Sequence, residues 1–360
     1  MDVSSILDPL NDAQREAVTA PDSHVLVLAG AGSGKTRVLV HRIAWLIQVE
    51  QVPASSIMAV TFTNKAAREM RGRIEEMLQI PTRGMWVGTF HGLAHRLLRA
   101  HCQDAGLPEN FQVLDADDQL RLVKRVMREL QLDESRWPPK QAQWFINSSK
   151  DEGLRPDHIE DHGDVFTTTL INVYREYQKN CQRSGLVDFG ELLLRSHELW
   201  LEKPELRAHY QNRFRHMLVD EFQDTNAVQY AWLRVLSGDR VPLTIVGDDD
   251  QSIYGWRGAR IENIQQFQQD FGGSRLVRLE QNYRSTQTIL EAANAVIANN
   301  QGRLGKDLWT DGETGDPIDV YSAFNEQDEA NYIADTISSW AEQGNARSEC
   351  AILYRSNAQS

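Results

Sequence analysis

The sequence predicts an α/β fold in which a parallel sheet, covered by helices on both faces, carries a phosphate-binding loop. Three observations support this prediction: apolar runs that alternate with helical patterns, a glycine-rich turn after the first such run, and a long central stretch without strand patterns. Strands that alternate with helices favour a parallel sheet, because each crossover helix covers one of its faces. We therefore expect a sheet domain with an inserted helical subdomain, followed by the first part of a second sheet domain.

The first apolar run, residues 25–28, is followed by a glycine-rich turn and then by a helical pattern. Glycines at this point let backbone N–H groups curl around phosphate oxygens, and the N-terminus of the helix adds partial positive charge. Lys35 would reach the β- and γ-phosphates and the Thr36 hydroxyl would bind Mg²⁺, while Ala29 replaces the usual first glycine. The residues predicted to surround the phosphates are Gly30, Ala31, Gly32, Ser33, Gly34, Lys35, Thr36 and Arg37. The pattern thus predicts a nucleoside triphosphate as ligand.

The alternation of strands and helices extends along most of the chain. Strands are predicted at residues 58–63, 86–90, 217–220 and 243–246, with helices that begin near Asn64 and His91 and one at 227–236. Between about His91 and Phe214 helical periodicity takes over, which predicts the inserted subdomain. From Leu276 the alternation resumes, with strands at 277–279, 318–321 and 351–354 and helices at 289–298 and 330–340. The expected domains are 1–90 with 215–278, 91–214, and an incomplete 279–360.

Composition narrows the class of protein. The 360 residues carry a net charge of −13, with 41% hydrophobic and 25% charged residues, as in ordinary folded proteins. No apolar run approaches the ~18 residues of a membrane span, and the acidic start lacks the core of a signal peptide. Three widely spaced cysteines argue against disulfides and zinc, so we expect a cytoplasmic protein with no membrane partner. Seven basic residues against three acidic ones from Lys65 to Arg99 fit either a phosphate-facing strip or a solvated helix face.

Two carboxylates, Asp220 and Glu221, come at the end of the predicted strand 217–220. A carboxylate at the end of a strand beside a phosphate-binding loop can hold Mg²⁺, and a second one can orient the water that attacks the γ-phosphate. GTPases are disfavoured because the guanine-reading Asn-Lys-x-Asp pattern is missing at residues 64–67. Small-molecule kinases remain open on the loop alone.

The segment from Val246 to Ala259 combines acidic residues and Gln251 with Tyr254, Trp256 and Arg257. Nucleic-acid bases stack on aromatic side chains without sequence preference, at ~1–3 kcal/mol per base. A single segment that contacts both a γ-phosphate and a base is a candidate for coupling nucleotide hydrolysis to nucleic-acid binding. The alternative is that Trp256 is a buried core residue.

Taken together, these motifs resemble those of superfamily 1A DNA helicases of the UvrD/Rep type. The resemblance covers essentially the whole chain and rests on ordered motifs at residues 10–14, 29–36, 61–67, 88–92, 219–226, 246–259 and 281–285. It implies RecA-like domains, ATP and Mg²⁺ as cofactors, and 3′→5′ movement on single-stranded DNA and at its junctions with duplex. It also implies work in nucleotide excision repair, mismatch repair and replication, DNA repair proteins as partners, and an oligomeric state that leaves a dimer open.

The resemblance further implies a role for individual residues. Gln14 would read the adenine edge, Tyr283 would stack on the base, and Gln251 would sense the γ-phosphate. Arg284 would act as an arginine finger, a cation that stabilises charge in the transition state. The residues implied to contact DNA are Phe62, Asn64, His91, Tyr254, Trp256, Arg257, Arg355 and Asn357.

The chain departs from this family in length. Members are about twice as long and carry later motifs, so we expect this chain to be an N-terminal portion cut inside the second sheet domain. Two alternatives stay open: the helicase module of a helicase–nuclease, and an ATP-gated DNA-binding fragment that does not unwind.

Overall fold

The computed structural model describes residues 3–161 and 163–356. The chain divides into two compact units, Met1–Glu313 and Thr314–Ser360. In the described residues the strands are β1 (Val25–Ala29), β2 (Ile57–Thr61), β3 (Trp86–Thr89), β4 (Gln112–Val113), β5 (Leu186–Val187), β6 (His216–Val219), β7 (Leu243–Gly247) and β8 (Arg275–Leu279).

None of the α-helices in the described residues is both long enough and apolar enough to cross a membrane. They are α1 (Ser4–Leu7), α2 (Asp12–Val18), α3 (Lys35–Gln48), α4 (Asn64–Leu78), α5 (Phe90–Ala100), α6 (Ala116–Glu129), α7 (Pro139–Asp151), α8 (Val165–Ser184), α9 (Phe189–Glu202), α10 (Pro204–Arg213), α11 (Ala227–Ser237), α12 (Glu262–Asp270), α13 (Gln287–Ile297) and α14 (Glu326–Glu342). Short 3-10 helices lie at Ala54–Ser56, Thr82–Gly84, Pro156–His158, Phe222–Asp224, Asp249–Gln251, Gly255–Arg257 and Arg347–Glu349.

The main sheet of the described residues has six parallel strands in the order β3-β2-β6-β7-β1-β8. Every residue of β1, β2 and β7 is buried, as expected for strands covered on both faces. The predicted α/β fold with a parallel sheet is therefore confirmed. Because β6, β7 and β1 are neighbours, their carboxyl ends lie side by side, at the edge where such sheets bind ligands.

Two hydrophobic cores cover the two faces of the sheet, and alternate strand residues enter each. Val25 and Val27 of β1 pack into a core with α3 and α4, whereas Leu26 and Leu28 pack into a core with α5, α9, α11 and α12. This alternation follows from the period of two along a strand. Both faces are therefore sealed by helices, and only the ends of the strands are left for a ligand.

The helical region between β3 and β6 has a core of its own. Helices α6, α7 and α8 pack around Val126, Ile146, Tyr174 and Tyr177, which are fully buried. The helical periodicity therefore predicted these helices correctly, although a short parallel pair, β4 with β5, lies among them. The domain boundaries inferred from the sequence stay a prediction.

Strand β8 corrects the prediction that a second alternating region begins at Leu276. Residues Arg275–Leu279 pair in parallel with β1, from Val25 opposite Arg275 to Ala29 opposite Leu279, and complete the first sheet. An apolar run of this length predicts a strand but does not specify which sheet it joins. That choice depends on which neighbour can satisfy its backbone N–H and C=O groups.

The second unit was expected to contain strands at residues 318–321 and 351–354, and this prediction is wrong. Neither segment forms a strand, and Val320 and Leu353 are 92% and 94% exposed. A strand satisfies its backbone hydrogen bonds only beside another strand, and no described segment of this unit provides one. The predicted helix at 330–340 is present as α14, since helical hydrogen bonds lie within the helix itself.

Candidate nucleotide and DNA site

The glycine-rich turn joins β1 to α3 and takes a backbone conformation that favours glycine at two positions. Gly32 and Gly34 have φ values of 67° and 88°, in the left-handed region. A Cβ atom at Gly34 would lie 2.8 Å from Gln14 Nε2. Ala29 is the last residue of β1, in extended backbone, so the missing first glycine does not disturb the turn.

Two other segments hold this loop in place. The Gln14 Nε2 donates to the Ser33 carbonyl at 2.8 Å, and Gln14 Oε1 accepts from the Asn11 N–H at 3.1 Å. From the other side, Asn282 Nδ2 donates to the Ala31 carbonyl at 2.6 Å. Reading of the adenine edge by Gln14 stays a prediction, since it would require one of these hydrogen bonds to be exchanged.

Helix α3 and the end of β6 bring the predicted phosphate and metal ligands together. Lys35 Nζ lies 3.2 Å from Glu221 Oε2, and the Thr36 hydroxyl donates to Asp220 Oδ2 at 3.4 Å. Burial and the adjacent Glu221 carboxylate raise the pKa of Asp220 to about 6. A buried carboxylate and a hydroxyl at the N-terminus of a helix are oxygen ligands of the kind that Mg²⁺ prefers. The residues present therefore fit a nucleoside triphosphate with its Mg²⁺ ion.

Glu221 is held in an unusual conformation by its neighbour Gln223. Its φ is 49°, a left-handed value that is strained for a residue other than glycine. Gln223 Nε2 donates to Glu221 Oε2 at 2.8 Å, while Gln223 Oε1 accepts from the Asp248 N–H at 2.9 Å. The same glutamine thus connects the end of β6 to the loop after β7.

Gln251, Tyr283 and Arg284 lie on segments that border the same loop. Gln251 follows β7 in a 3-10 helix and donates through Nε2 to Asp248 Oδ2 at 2.6 Å. The Tyr283 N–H donates to the Gly32 carbonyl at 3.0 Å. A Cβ atom at Gly32 would lie 2.8 Å from Arg284 Cβ, so the backbone of Arg284 runs beside the phosphate loop, with its side chain exposed.

A second site, here called the aromatic cavity, lies near the other end of the segment that begins at Glu221. It has a volume of about 380 Å³. The residues that define it are Phe62, Thr63, His91, Leu114, Asp115, Ala116, Gln119, Asn147, Asp151, Phe189, Gly190, Asp224, Asn226, Gln229, Tyr254 and Arg257. Four residues predicted to contact DNA are therefore brought together: Phe62, His91, Tyr254 and Arg257. Burial lowers the pKa of His91 to about 4, so at pH 7 its ring is neutral.

Trp256 is 71% exposed, which excludes the alternative that it is a core residue. The Arg257 guanidinium lies 4.5 Å from the centre of the Trp256 ring and 4.9 Å from that of Tyr254. These three side chains form an exposed aromatic and cationic surface beside the cavity, suited to stacking with bases. Asn64 is exposed at the first position of α4. Arg355 is exposed in the second unit, and Asn357 lies outside the described residues.

A phosphate site next to an aromatic cavity is the arrangement expected of a nucleic-acid motor, and comparison with known families supports it. Residues 10–272 match the UvrD/REP helicase N-terminal domain, and residues 277–360 match the UvrD-like helicase C-terminal domain. The chain belongs to the UvrD/REP helicase family. The family predicted from the motifs is thereby confirmed.

Individual relatives in the UvrD/REP family are similar over the entire chain. DNA helicase II of Escherichia coli K12 is 65% identical over 360 residues, and that of Haemophilus influenzae is 60% identical over 364. The DNA helicase PcrA of Leuconostoc citreum is 46% identical over 363 residues. Each match covers 100% of this chain but 50%, 50% and 48% of the respective relative. The chain therefore spans about half the length of the curated UvrD/REP relatives it matches.

The cavity of this UvrD/REP chain includes residues that sequence reasoning missed. Phe189 is half exposed, and its ring meets that of His91 edge-on at 5.8 Å. It begins α9 after the N-cap Asp188, just as Phe90 begins α5 after the N-cap Thr89. Because Phe90 is buried in the core, this shared pattern does not distinguish a cavity residue from a core residue, and the position of Phe189 depends on tertiary packing.

Asp151 is a second missed residue of the cavity, and no sequence signal marks it. Burial, followed by the nearby Glu152 and Asp188 carboxylates, raises the pKa of Asp151 to about 7, although Asn226 donates a hydrogen bond to it. An acidic group of this kind is partly neutral at physiological pH. It can therefore face a nucleic acid with less repulsion than an ordinary aspartate.

Several of the basic side chains between Lys65 and Arg99 form hydrogen bonds within the fold. Arg71 donates to the Val87 carbonyl at 2.8 Å, and Arg96 donates to the Met85 carbonyl at 3.1 Å. Arg99 donates to the carbonyls of Glu109 and Phe111 and stacks on the Phe111 ring at 3.9 Å. Because these arginines stabilise turns and strand ends, a continuous phosphate-facing strip is not supported.

Proposed function

We propose that this protein is an ATP-dependent DNA helicase and translocase that moves 3′→5′ on single-stranded DNA, with Mg²⁺ bound beside the phosphates. The observation that carries the proposal is the short segment from Glu221 to Asn226. At one end Glu221 contacts Lys35 of the phosphate loop, and at the other Asp224 and Asn226 line the aromatic cavity. Names of the relatives, DNA helicase II and DNA helicase PcrA, support the class of activity. The direction of movement rests on family resemblance.

Each residue of the phosphate site has a proposed step. Bound ATP would supply the phosphoanhydride bond, with Mg²⁺ neutralising charge on its oxygens. Thr36 and Asp220 would hold the metal, and Lys35 would leave Glu221 to bind phosphate. Glu221 would then be free to orient the attacking water, with its other contact to Gln223 keeping the carboxylate in place.

Movement along DNA would arise from the connection between the two sites. Bases would stack on the exposed aromatic groups, with Trp256 beside the cavity and Tyr254 and Phe189 at its wall. A change at Glu221 on hydrolysis would be transmitted through residues 222–226 to the cavity. The neutral His91 would contribute stacking or a hydrogen bond instead of an ion pair with phosphate.

The first test separates binding from hydrolysis. Lys35→Ala removes a phosphate contact present in both ground and transition states, so both nucleotide affinity and turnover should fall. Glu221→Gln removes only activation of water, so ATP should still bind while hydrolysis falls by about 10²–10³-fold, as for loss of a main transition-state contact. Calorimetric binding of ATP and steady-state ATPase assays measure the two effects. Equal loss of binding in both variants would contradict these roles.

A second candidate, an ATP-gated DNA-binding fragment, is favoured by the exposure of the second unit. No residue from 314 to 356 is buried, so this unit lacks a core among the described residues. We expect the 360-residue chain alone to bind ATP and single-stranded DNA weakly, with little DNA-stimulated hydrolysis and no strand separation. Supplying the remaining length found in the relatives should restore unwinding of a 3′-tailed duplex. Unwinding by the isolated chain at the rate of a longer relative would refute this second candidate.

Family membership also supports proposals for the cellular role. We propose action at junctions of single- and double-stranded DNA during nucleotide excision repair, mismatch repair and replication, with DNA repair proteins as partners in the cytoplasm. The domain arrangement of residues 1–90 with 215–278, 91–214 and 279–360 belongs to the same proposal. The chain, joined to the remaining length found in its relatives, should restore ultraviolet resistance to bacteria that lack DNA helicase II. A product with full ATPase activity but no restored resistance would refute the repair role alone.

A further inference from the structure

Three consecutive aspartates follow β7, and their carboxylates surround one buried ammonium group. Ligand oxygens of Asp248, Asp249 and Asp250 all lie within 4.8 Å of one another, the spacing of a metal-binding cluster. Lys306 Nζ lies 2.7 Å from Asp248 Oδ1, 2.5 Å from Asp249 Oδ1 and 2.9 Å from Asp250 Oδ2. An ammonium group has three N–H donors, one for each carboxylate. The place that a metal ion would take is therefore filled by a side chain of the protein.

The ammonium of Lys306 is enclosed together with its partners. The side chains of Lys306 and Asp248 are each 2% exposed. Burial disfavours the charged lysine, but Asp248 and its neighbours raise the pKa of Lys306 above its ordinary value, so it remains charged. A nearby cation, Arg303, reaches Asp250 instead, through Nε at 2.8 Å and Nη2 at 2.9 Å. Both cations therefore contact Asp250, but only Lys306 also contacts Asp248 and Asp249.

Asp248 connects this cluster to the predicted catalytic groups. Its Oδ2 accepts from Gln251 Nε2 at 2.6 Å, and its N–H donates to Gln223 Oε1 at 2.9 Å. Gln223 in turn donates to Glu221 Oε2 at 2.8 Å. A continuous series of contacts therefore runs from Lys306 through Asp248 to Glu221. Asp249, in contrast, contacts Lys306 and the Leu304 N–H.

We infer that Lys306 is a positioning residue for ATP hydrolysis, which acts as a built-in cation and fixes Asp248 so that Gln251 and Gln223 support Glu221. The inference rests on the proposed function, because it assigns a role within the same site. Groups that orient the attacking water act in the transition state more than in ground-state binding. Loss of Lys306 is therefore expected to lower kcat, with nucleotide affinity close to that of the unchanged protein.

The decisive comparison is between the variants Lys306→Ala and Arg303→Ala. Both are assayed in a protein in which this chain is joined to the C-terminal half found in its relatives. Both changes remove one positive charge from the same turn, but only Lys306 contacts Asp248. We expect kcat to fall about 10–100-fold in Lys306→Ala, as for loss of a supporting partner of a site ligand. Arg303→Ala should keep kcat near that of the unchanged protein. Equal kcat in the two variants would overturn the inference.

A second measurement tests, without ATP hydrolysis, whether the Lys306 ammonium group occupies the place of a metal cation. Lys306→Ala opens the space between the three carboxylates, so millimolar Ca²⁺ should raise the thermal unfolding temperature of the nucleotide-free variant. The unchanged protein, whose lysine fills the cluster, should show no such increase. Absence of a Ca²⁺ effect in the variant would overturn the description of Lys306 as a cation substitute. This result does not depend on ATPase activity, so it separates failure of the inference from failure of the proposed function.

A third comparison applies if Lys306→Ala does not fold, since removing one partner of a buried ion pair leaves uncompensated charge. Asp248→Asn and Asp249→Asn both change a carboxylate to an amide and both keep Lys306. Only Asp248 contacts Gln251 and Gln223, so only Asp248→Asn should lower kcat. Equal kcat in these two variants would overturn the series of contacts on which the inference depends.

Discussion

The two compact units contain similar sequence patterns but differ in what surrounds them. In the first unit the apolar run at residues 25–28 forms β1, fully buried between β7 and β8. In the second unit the apolar run at residues 351–354 forms no strand, and Leu353 is almost completely exposed. The difference shows that an apolar run specifies a strand only when neighbouring strands and covering helices are available to satisfy its backbone and bury its side chains.

The two units also differ in the functional groups that they contain. The phosphate loop, the carboxylates after β6 and the aromatic cavity all lie in the first unit, on elements with buried cores. Rigid elements of this kind can hold catalytic groups within the narrow tolerance that hydrolysis requires. Among the described residues, the second unit contributes only Arg355 to the predicted DNA contacts. The first unit should therefore bind nucleotide by itself, whereas the second supports later steps.

The largest expected effect compares one leucine from each unit. Leu218→Ala removes a buried side chain of β6 and should lower the free energy of unfolding by about 2–5 kcal/mol. Leu353→Ala changes an exposed side chain and should alter it by no more than about 0.5 kcal/mol. Urea denaturation of both variants measures the contrast. Similar destabilisation by both changes would mean that Leu353 is buried in solution, and the comparison would break down.

A smaller effect is expected on DNA affinity when exposed aromatic side chains of the two units are replaced by alanine. Trp256→Ala should weaken binding of single-stranded DNA by ~1–3 kcal/mol and reduce DNA-stimulated ATPase more than basal ATPase. Phe324, which is 96% exposed in the second unit, and Trp144, which is 63% exposed on α7, provide the controls. Neither belongs to the exposed surface in which Arg257 contacts the rings of Tyr254 and Trp256, so alanine at either position should leave DNA affinity unchanged. Fluorescence anisotropy with a labelled oligonucleotide measures all three. Equal losses in the three variants would remove the special role of Trp256.

The smallest expected effect is a pH dependence located in the first unit. The pKa of Asp151 is raised to about 7 by burial and by Glu152 and Asp188. As pH falls through 7 the carboxylate is neutralised, so repulsion of phosphate decreases and DNA affinity should rise by up to about 1 kcal/mol. Asp151→Asn should flatten this change between pH 6 and 8. His91→Gln should not flatten it, because the pKa of His91 is lowered to about 4.

The free energy of unfolding should also depend on pH through the Asp151 carboxyl group, and should decrease as pH rises. Because the folded-state pKa of Asp151 exceeds its ordinary value of 3.8, its contribution to stability is fully present below about pH 4 and is lost as pH rises through 7. Asp151→Asn should therefore stabilise the protein at pH 8 and have less effect at pH 5. Thermal unfolding at the two pH values measures this difference. If DNA affinity and stability depended on pH in the same way in the unchanged protein and in Asp151→Asn, a raised pKa of Asp151 would be contradicted.

Local signals in the sequence predicted most of the fold and of the phosphate site. The strands β1, β2, β3, β6 and β7, the helices α3, α4, α5 and α11, and the helices α13 and α14 were expected from periodicity and turn residues. Lys35 and Thr36 were expected beside Asp220 and Glu221 because the carboxyl ends of parallel strands share one edge of the sheet. Such features depend on residues close in sequence or on a rule common to all parallel sheets.

Contacts between distant segments could not be predicted in the same way. Phe189 joins the aromatic cavity only because α9 packs across the first sheet, and Lys306 meets Asp248 only because β8 pairs with β1 and returns the following turn to β7. By itself, the sequence determined most element types of the first unit, the phosphate loop and the family. The tertiary structure alone decided which strand joined the sheet, which apolar runs stayed unpaired, and which buried charges met. The physical reason is that hydrogen bonding and desolvation of these groups depend on partners whose position the local sequence does not encode.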